Sequence, residues 1–402
     1  MESIKDRVAI VGMGCCKFGE NWHQNADDMA VEATNEALED AGLELKDLDA
    51  AVQATLFTGE TGSQLARWLK LDYIPVTRVE NFCSGGLDAF RNACYAVASG
   101  TYDIVLANGT EKRMDHYGGF GKVIPSAFDL PGVDMDLPPA TTFAFFAVRY
   151  MEKYNIPYER FKRILAKIEV RNHHNGTLSP KSHLKREITE EDVINAPLVA
   201  YPFGLYDCCG MSDGSASCIL TTPEIAKSLK KDYVLVKGLA IANGAGQAYF
   251  KTGDNSLIGG GDKVEMNFPE TVHAARSAYE QAGIKDPRKE ISHFEVHDCF
   301  SSTELLTYED LGISPFGHAP EDVESGRFNL DGEQPCNTDG GLKSFGHPVS
   351  ASGIRMLYEL YKQLQGKAGP RQIKNPRLGL AHNLGGVCAY YNVAVCIIGN
   401  PD

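Results

Sequence analysis

The decapeptide ATNEALEDAG at residues 33–42 aligns without gaps on AARSAYEQAG at residues 274–283. Alanine recurs every fourth residue in both (Ala33, Ala37, Ala41; Ala274, Ala278, Ala282), the spacing of one helix face, and glycine follows as a helix stop. Each predicted helix leads through a polar linker into a short apolar strand, 51–54 in one case and 293–296 in the other. One such match carries little weight, because alanine faces are common. The order around it carries more. Glycine-bounded helices follow at 86–100 and 353–366, and each runs into a strand, at 104–107 and 378–381. A repeated series of helix, strand, reactive loop, helix and strand predicts an internal duplication.

Outward from the repeat, RVAIVG at 7–12 reads as a buried strand, and further strands are expected near 50–55, 76–79 and 103–108. Helices are expected at 26–41, 63–69 and 85–99. Strands alternating with helices predict an α/β fold with a largely parallel sheet. The expected division is an N-terminal half of 1–110 with 208–225, an insertion of 111–207, and a C-terminal half of 226–402. The insertion holds a glycine- and proline-rich loop at 116–139, a helical stretch at 143–154 and a basic helix near 158–171. A segment of this kind is expected to be a substrate lid or an oligomer contact.

A chain of 402 residues, 43% hydrophobic and 23% charged, is long enough for two buried cores. A net charge of −14 argues against a nucleic-acid partner, since phosphate contacts need a basic face. No stretch approaches the ~20 apolar residues that cross a bilayer, so no membrane partner is expected. The start MESIKDRVAIVGMG enters a strand directly, without a signal-peptide pattern, and a cytoplasmic location is expected. The eleven cysteines include no CxxC pair and no Cys/His set with zinc spacing. Reduced thiols and no bound metal follow as expectations.

Three segments carry candidate chemistry: Cys83 in NFCSGG, His297-Asp298-Cys299-Phe300, and Gly346-His347-Pro348. Each sets a thiol or imidazole beside glycine, proline or a helix start, where free backbone amides can bind an anion. Two thiols and two imidazoles in such settings point to acyl transfer through a thioester. The helix start at Ser84 and a neighbouring histidine are expected to favour a thiolate at Cys83. Gly85 and Gly86 are expected to let a substrate approach the backbone. His297 and Cys299 alternate on an extended segment and so can face one cleft, with Asp298 turned away. Cys94 and Cys218, within apolar runs, read as inert core. A papain-like cysteine protease is disfavoured by the duplicated plan and the second thiol.

On these segments, with Ser212-Asp213-Gly214 and Asn383-Leu384-Gly385-Gly386, the chain resembles a thiolase of the sterol-carrier-protein type along nearly its whole length. The resemblance implies the thiolase fold, two similar αβαβα halves. It implies that Cys83 takes the acyl group from an acyl-CoA, and that His347 activates Cys83 and helps bind the thioester oxygen. It further implies that His297 serves an oxyanion hole, that Cys299 is the acid/base, and that Gly385 and the Cys83 amide form a second oxyanion hole. The C-terminal CxGG cysteine of other thiolases is absent from NLGG, which makes Cys299 its natural substitute; Cys388, just beyond, reads as core.

Coenzyme A is implied as co-substrate, with no bound cofactor, and at least a homodimer is implied. Some related bacterial thiolases, acting on benzoylsuccinyl-CoA or transferring acyl groups to phloroglucinol, work with a small OB-fold, zinc-ribbon partner, and this chain is similar to their large subunits. The expected reaction is cleavage or formation of a 3-oxoacyl-CoA, with (S)-2-benzoylsuccinyl-CoA to benzoyl-CoA and succinyl-CoA as one candidate. Alternatives are an acetoacetyl-CoA thiolase, acyl transfer to a non-CoA acceptor, or a non-catalytic acyl-CoA-binding subunit. His116, Tyr117 and Phe120, with Phe128, Phe143, Phe145 and Phe146, are candidate contacts for an aromatic or branched acyl group, and an ordinary packed core explains the last three equally well. Lys162, Arg163 and Lys167 are candidate contacts for CoA phosphates, or an exposed helix face.

Overall fold

Gly12 and Gly14 of strand β1 (Ala9–Cys15) lie directly beneath the helix Ala26–Ala41. A Cβ on Gly12 would stand 2.0 Å from the Ala37 carbonyl oxygen, and one on Gly14 would stand 2.0 Å from that of Ala33. In the second half, a Cβ on Gly238 of β8 (Val234–Asn243) would meet the Ala278 carbonyl at 2.3 Å, in the helix Pro269–Ala282. Ala37 and Ala278 occupy the same position of the aligned decapeptides. The sequence repeat is thus the repeat of one strand–helix contact. Both helices end in a left-handed glycine, Gly42 (φ 70) and Gly283 (φ 81), as helix C-termini commonly do.

The computed structural model describes residues 3–115, 138–244, 267–387 and 390–401. The remaining large-sheet strands are β2 (Ala50–Ala54), β3 (Val76–Val79), β4 (Ile104–Glu111), β7 (Gly214–Thr221), β9 (His293–Val296), β10 (Leu378–Val387) and β11 (Tyr390–Gly399), while β5 (Leu198–Ala200) and β6 (Phe203–Gly204) form a separate pair. Among the described residues the large sheet runs β3-β2-β4-β7-β1-β8-β11-β10-β9. It has a centre: β1 meets β8 through Ala9↔Leu235 and Ile10↔Val234. Outward from there, β1-β7-β4-β2 and β8-β11-β10-β9 show the same sense at every step: antiparallel, antiparallel, parallel.

This mixed sheet corrects the expectation of a largely parallel one. Among the described residues, parallel ladders occur only between the outer strands, β3/β2/β4 and β9/β10. Strands that follow one another in the chain can pair antiparallel, as β10 and β11 do, and a strand–helix count does not register such a return.

The helices Gly85–Ala98 and Ser352–Leu364 pack against each other where the halves meet. Cβ atoms on Gly86 and Gly109 would stand 2.5 and 2.2 Å from the Ser350 carbonyl oxygen, and one on Gly353 would stand 2.7 Å from the Leu87 nitrogen. Gly86 therefore makes room for protein backbone rather than for a substrate.

Within the insertion, the helices Pro139–Lys153 and Tyr158–Thr177 are part of the core. Phe143 packs on Phe300 at 4.9 Å and Phe146 on Phe268 at 4.8 Å, so both are structural rings. Buried Arg171 pairs with Glu304 on the helix Ser301–Asp310. The candidate contacts His116, Tyr117, Phe120 and Phe128 lie outside the described residues, as does Cys388. No described helix is long and apolar enough to cross a membrane.

Gly12→Ala or Gly238→Ala forces a methyl group into a backbone carbonyl. Each is expected to lower stability by about 1–3 kcal/mol, read as an earlier midpoint in urea unfolding. An unchanged midpoint would show that strand and helix separate without cost.

Candidate active site

Cys83 stands in a sharp strand-to-helix turn between β3 and the helix Gly85–Ala98. The turn closes on itself: the Ser84 and Gly85 amides donate to the Asn81 and Phe82 carbonyls at 3.2 and 3.0 Å. Phe82 is held left-handed at φ 50, a conformation that costs a non-glycine residue about 1–2 kcal/mol. Asn81 braces the turn by donating its side-chain amide to Asp88 at 2.6 Å, and Asp88 pairs with Arg91 at 2.7 Å.

His347 reaches this turn from the second half. Its Nε2 lies 3.3 Å from Cys83 Sγ, and its Nδ1 lies 2.8 Å from Ser352 Oγ. The Ser352 hydroxyl donates its one hydrogen to the Pro348 carbonyl at 3.1 Å, so it accepts from His347 Nδ1–H. That leaves a lone pair on Nε2, facing the thiol. The backbone N–H of His347 donates to Ser212 Oγ at 3.3 Å.

Burial decides the charge state of this pair. It pushes the Cys83 thiol up to about 12, and nearby Glu80 adds to the rise while Arg113 opposes it. Burial, with the charges of Arg355 and Arg113, pushes His347 down to about 3. Both shifts favour a neutral thiol facing a neutral imidazole. Against the thiolate expected there, desolvation of the charged form opposes the helix start two residues on.

His297 completes the cluster. Its ring stands edge-on to that of His347 at 5.3 Å, and Cys83 Sγ and a ring nitrogen of each histidine lie within 4.8 Å of one another. Asn383 Nδ2 lies 3.0 Å from His297 Nδ1. Burial, His347, His382 and Arg355 hold His297 well below the usual histidine range. The sulfur and two imidazoles also form a set that a thiophilic metal ion would accept.

Cys299 lies buried beside this cluster, its Sγ 3.8 Å from Thr303 Oγ1. Burial, then Cys209 and Cys83, raise its thiol well above the ordinary range, so it holds its proton firmly. Cys209 stands directly across from Cys299: its N–H donates to the Cys299 carbonyl at 2.9 Å, and Cys208 pairs with Phe300 in an antiparallel bridge. Asp298 faces the other way, accepting from the amides of Leu342 (2.7 Å) and Lys343 (3.3 Å) and from Asn172 (3.1 Å). Gly385 lies against the Cys83 turn, where a Cβ would meet the Cys83 nitrogen at 2.8 Å and the Asn81 oxygen at 2.5 Å.

The structure thus brings together Cys83, His297, His347 and Gly385, with Cys299 adjoining. Cys94 and Cys218 are buried in the core. Lys162 is buried in an ion pair with Asp207, and Lys167 pairs with Glu190 at 3.0 Å, so their charges already have protein partners. Sequence reading missed four residues. Ser352, just past the GHP segment at the start of the helix that follows, carried no motif signal. Asn383 stands where other thiolases of the family carry a cysteine, and Cys209 is one of two adjacent cysteines outside the three motif segments. Half-buried Arg113, its guanidinium 4.3 Å above the Phe57 ring, gave no sequence signal.

Residues 8–224 match the thiolase N-terminal domain, and residues 262–399 match the thiolase C-terminal domain-like family. An acetyl-CoA acetyltransferase of Methanothermobacter thermautotrophicus is 36% identical over 94% of this chain and 96% of its own. Sterol carrier protein 2 of Bos taurus is 31% identical over 95% of this chain and 70% of its own. Among solved structures, an Ltp2-ChsH2(DUF35) aldolase superposes with a TM-score of 0.82 at 24% identity, covering 99% of this chain and 98% of that one. A monomeric SCP2-thiolase-like protein of Mycobacterium smegmatis gives 0.74 at 15% identity, covering 100% of this chain and 78% of that one. The chain belongs to the thiolase family, in its sterol-carrier-protein-type branch, and is an acyl-CoA acyltransferase.

A thiol raised to about 12 is almost wholly protonated at neutral pH. Alkylation of Cys83 by iodoacetamide should therefore climb about tenfold per pH unit from pH 7 past pH 9. A plateau reached below pH 7 would instead identify a thiolate–imidazolium pair.

Proposed function

We propose that this chain is a CoA-dependent thiolase that cleaves or forms a 3-oxoacyl-CoA through an acyl group on Cys83. The observation that carries the reading is the Cys83–His347 contact of 3.3 Å beside the backbone of Gly385. In the cleavage direction, Cys83 attacks the keto carbon as its proton passes to His347 Nε2. Negative charge on the keto oxygen is met by the Cys83 amide and Gly385. The C2–C3 bond breaks, and the enolate oxygen of the departing CoA ester is met by the imidazoles of His297 and His347. Cys299 delivers its proton to C2. Coenzyme A then attacks the acyl group, yielding its thiol proton to the Cys299 thiolate, and Cys83 leaves and recovers its proton from His347.

For the acyl group, the reading is a carboxylate-bearing aromatic substrate such as (S)-2-benzoylsuccinyl-CoA, split to benzoyl-CoA and succinyl-CoA. Arg113 supports it: its charge is felt at both Cys83 and His347, and it lies over the Phe57 ring, so an anion and an aromatic group would find partners there. A homodimer with a small partner subunit is proposed as the working assembly; the structurally similar Ltp2-ChsH2(DUF35) aldolase, named for two components, supports the partner.

The test is intact mass after incubation with 3-oxoacyl-CoAs, benzoylsuccinyl-CoA among them, and with the partner subunit where one is available. A gain of one acyl group, absent in Cys83→Ala and released by coenzyme A, is expected. Release only by another acceptor would make the chain an acyltransferase of a different kind. Cys299→Ala is expected to keep the acyl adduct on Cys83 yet lose exchange of the C2 proton of an acyl-CoA by about 10²–10⁴-fold. Unchanged exchange would remove Cys299 from the acid/base role.

A further inference from the structure

Two buried imidazoles stand 5.3 Å apart, both held neutral, and the reaction asks opposite things of them. His347 must present a lone pair to Cys83, and His297 must present an N–H to an oxyanion. A neutral imidazole has one of each, so whatever bonds its far nitrogen sets what it offers the substrate. For His347 that partner is Ser352. For His297 it is Asn383, fully buried on β10.

An amide side chain can present either its oxygen or its nitrogen, so the orientation of Asn383 decides the matter. Among the described residues its Oδ1 has no hydrogen-bond partner, and it lies at the start of the helix Ser352–Leu364, where a Cβ on Gly353 would meet it at 2.9 Å. The positive end of that helix favours the oxygen there and turns the NH2 group toward His297. His297 Nδ1 then accepts, and its proton resides on Nε2.

We infer that Asn383 is a positioning residue which, by donating to Nδ1, locks His297 as the Nε2–H tautomer and so makes it an oxyanion donor instead of a second base. The catalytic consequence rests on the thiolase reading above; the tautomer does not. Groups that face His297 and would alter its charge are His347, His382 and Arg355, all of which disfavour protonation. Asn383 thus acts on a ring that stays neutral across the working pH range.

The experiment is 15N–1H correlation of the histidine side chains in the wild-type protein, assigned with a His297→Gln variant, alongside kinetics of Asn383→Ala and Asn383→Asp. The wild type should carry the His297 proton on Nε2. The aspartate, which can only accept, should move it to Nδ1 or charge the ring, adding an ionisation to the pH profile of kcat/KM. Loss of the oriented donor should lower kcat by about 100-fold with KM for acyl-CoA little changed. Asn383→Ala should leave the rate of Cys83 alkylation unchanged, because His347 and Ser352 are untouched; a residue that merely supports the fold would lower both together. A wild-type proton on Nδ1, or Asn383→Asp with full activity and an unaltered pH profile, would overturn the inference. A wild type with the Nε2 proton but no thiolase turnover would overturn the functional reading and leave the tautomer assignment standing.

Discussion

The carbonyl oxygen of Ser350 determines how the two halves of this molecule meet. It sits where side chains at Gly86 and Gly109 would be, closer to both positions than any real Cβ could approach. Any residue with a side chain at either place would push the loop 346–353 away from the helix Gly85–Ala98. That loop carries His347 and that helix begins just after Cys83, so the same contact sets the distance between them. The site is built across the junction, and neither half contains it alone.

Around the junction, buried charges are paired with one another. Arg355, fully buried behind the histidines, is held by Asp339 at 2.7 Å and Glu295 at 2.9 Å. Its positive charge, added to desolvation, keeps both imidazoles neutral. Removing water from a thiol–imidazole pair has a cost and a use. On the proposed reading it keeps Cys83 as a thiol until attack, and it strengthens every fixed dipole aimed at an oxyanion.

The two reactive loops of the second half are also tied to each other. Asp298, between His297 and Cys299, accepts from the amides of Leu342 and Lys343, at the start of the short helix Gly341–Ser344 that leads into Gly346-His347-Pro348. Asn172 of the insertion joins the same carboxylate. A displacement of one loop is therefore transmitted to the other through a buried hydrogen bond, and the insertion helices serve as the platform beneath both.

Much of this was legible in the residues. The alanine faces at 33–41 and 274–282 announced the duplication, because a helix lying on glycine in a strand needs small residues every fourth position. Cys83, His297, Cys299, His347 and Gly385 were legible through their motifs, since chemistry of this kind restricts which residue types can stand beside glycine and a helix start. What the tertiary structure alone decided was protonation and direction. The mixed sense of the sheet depends on turns that a strand count cannot register. The neutral state of Cys83 and His347 depends on burial, a property of the assembled halves. The roles of Ser352 and Asn383 depend on which nitrogen of each ring they meet. Local sequence specifies which groups are present; their charge and tautomer are set by neighbours that only folding brings within reach.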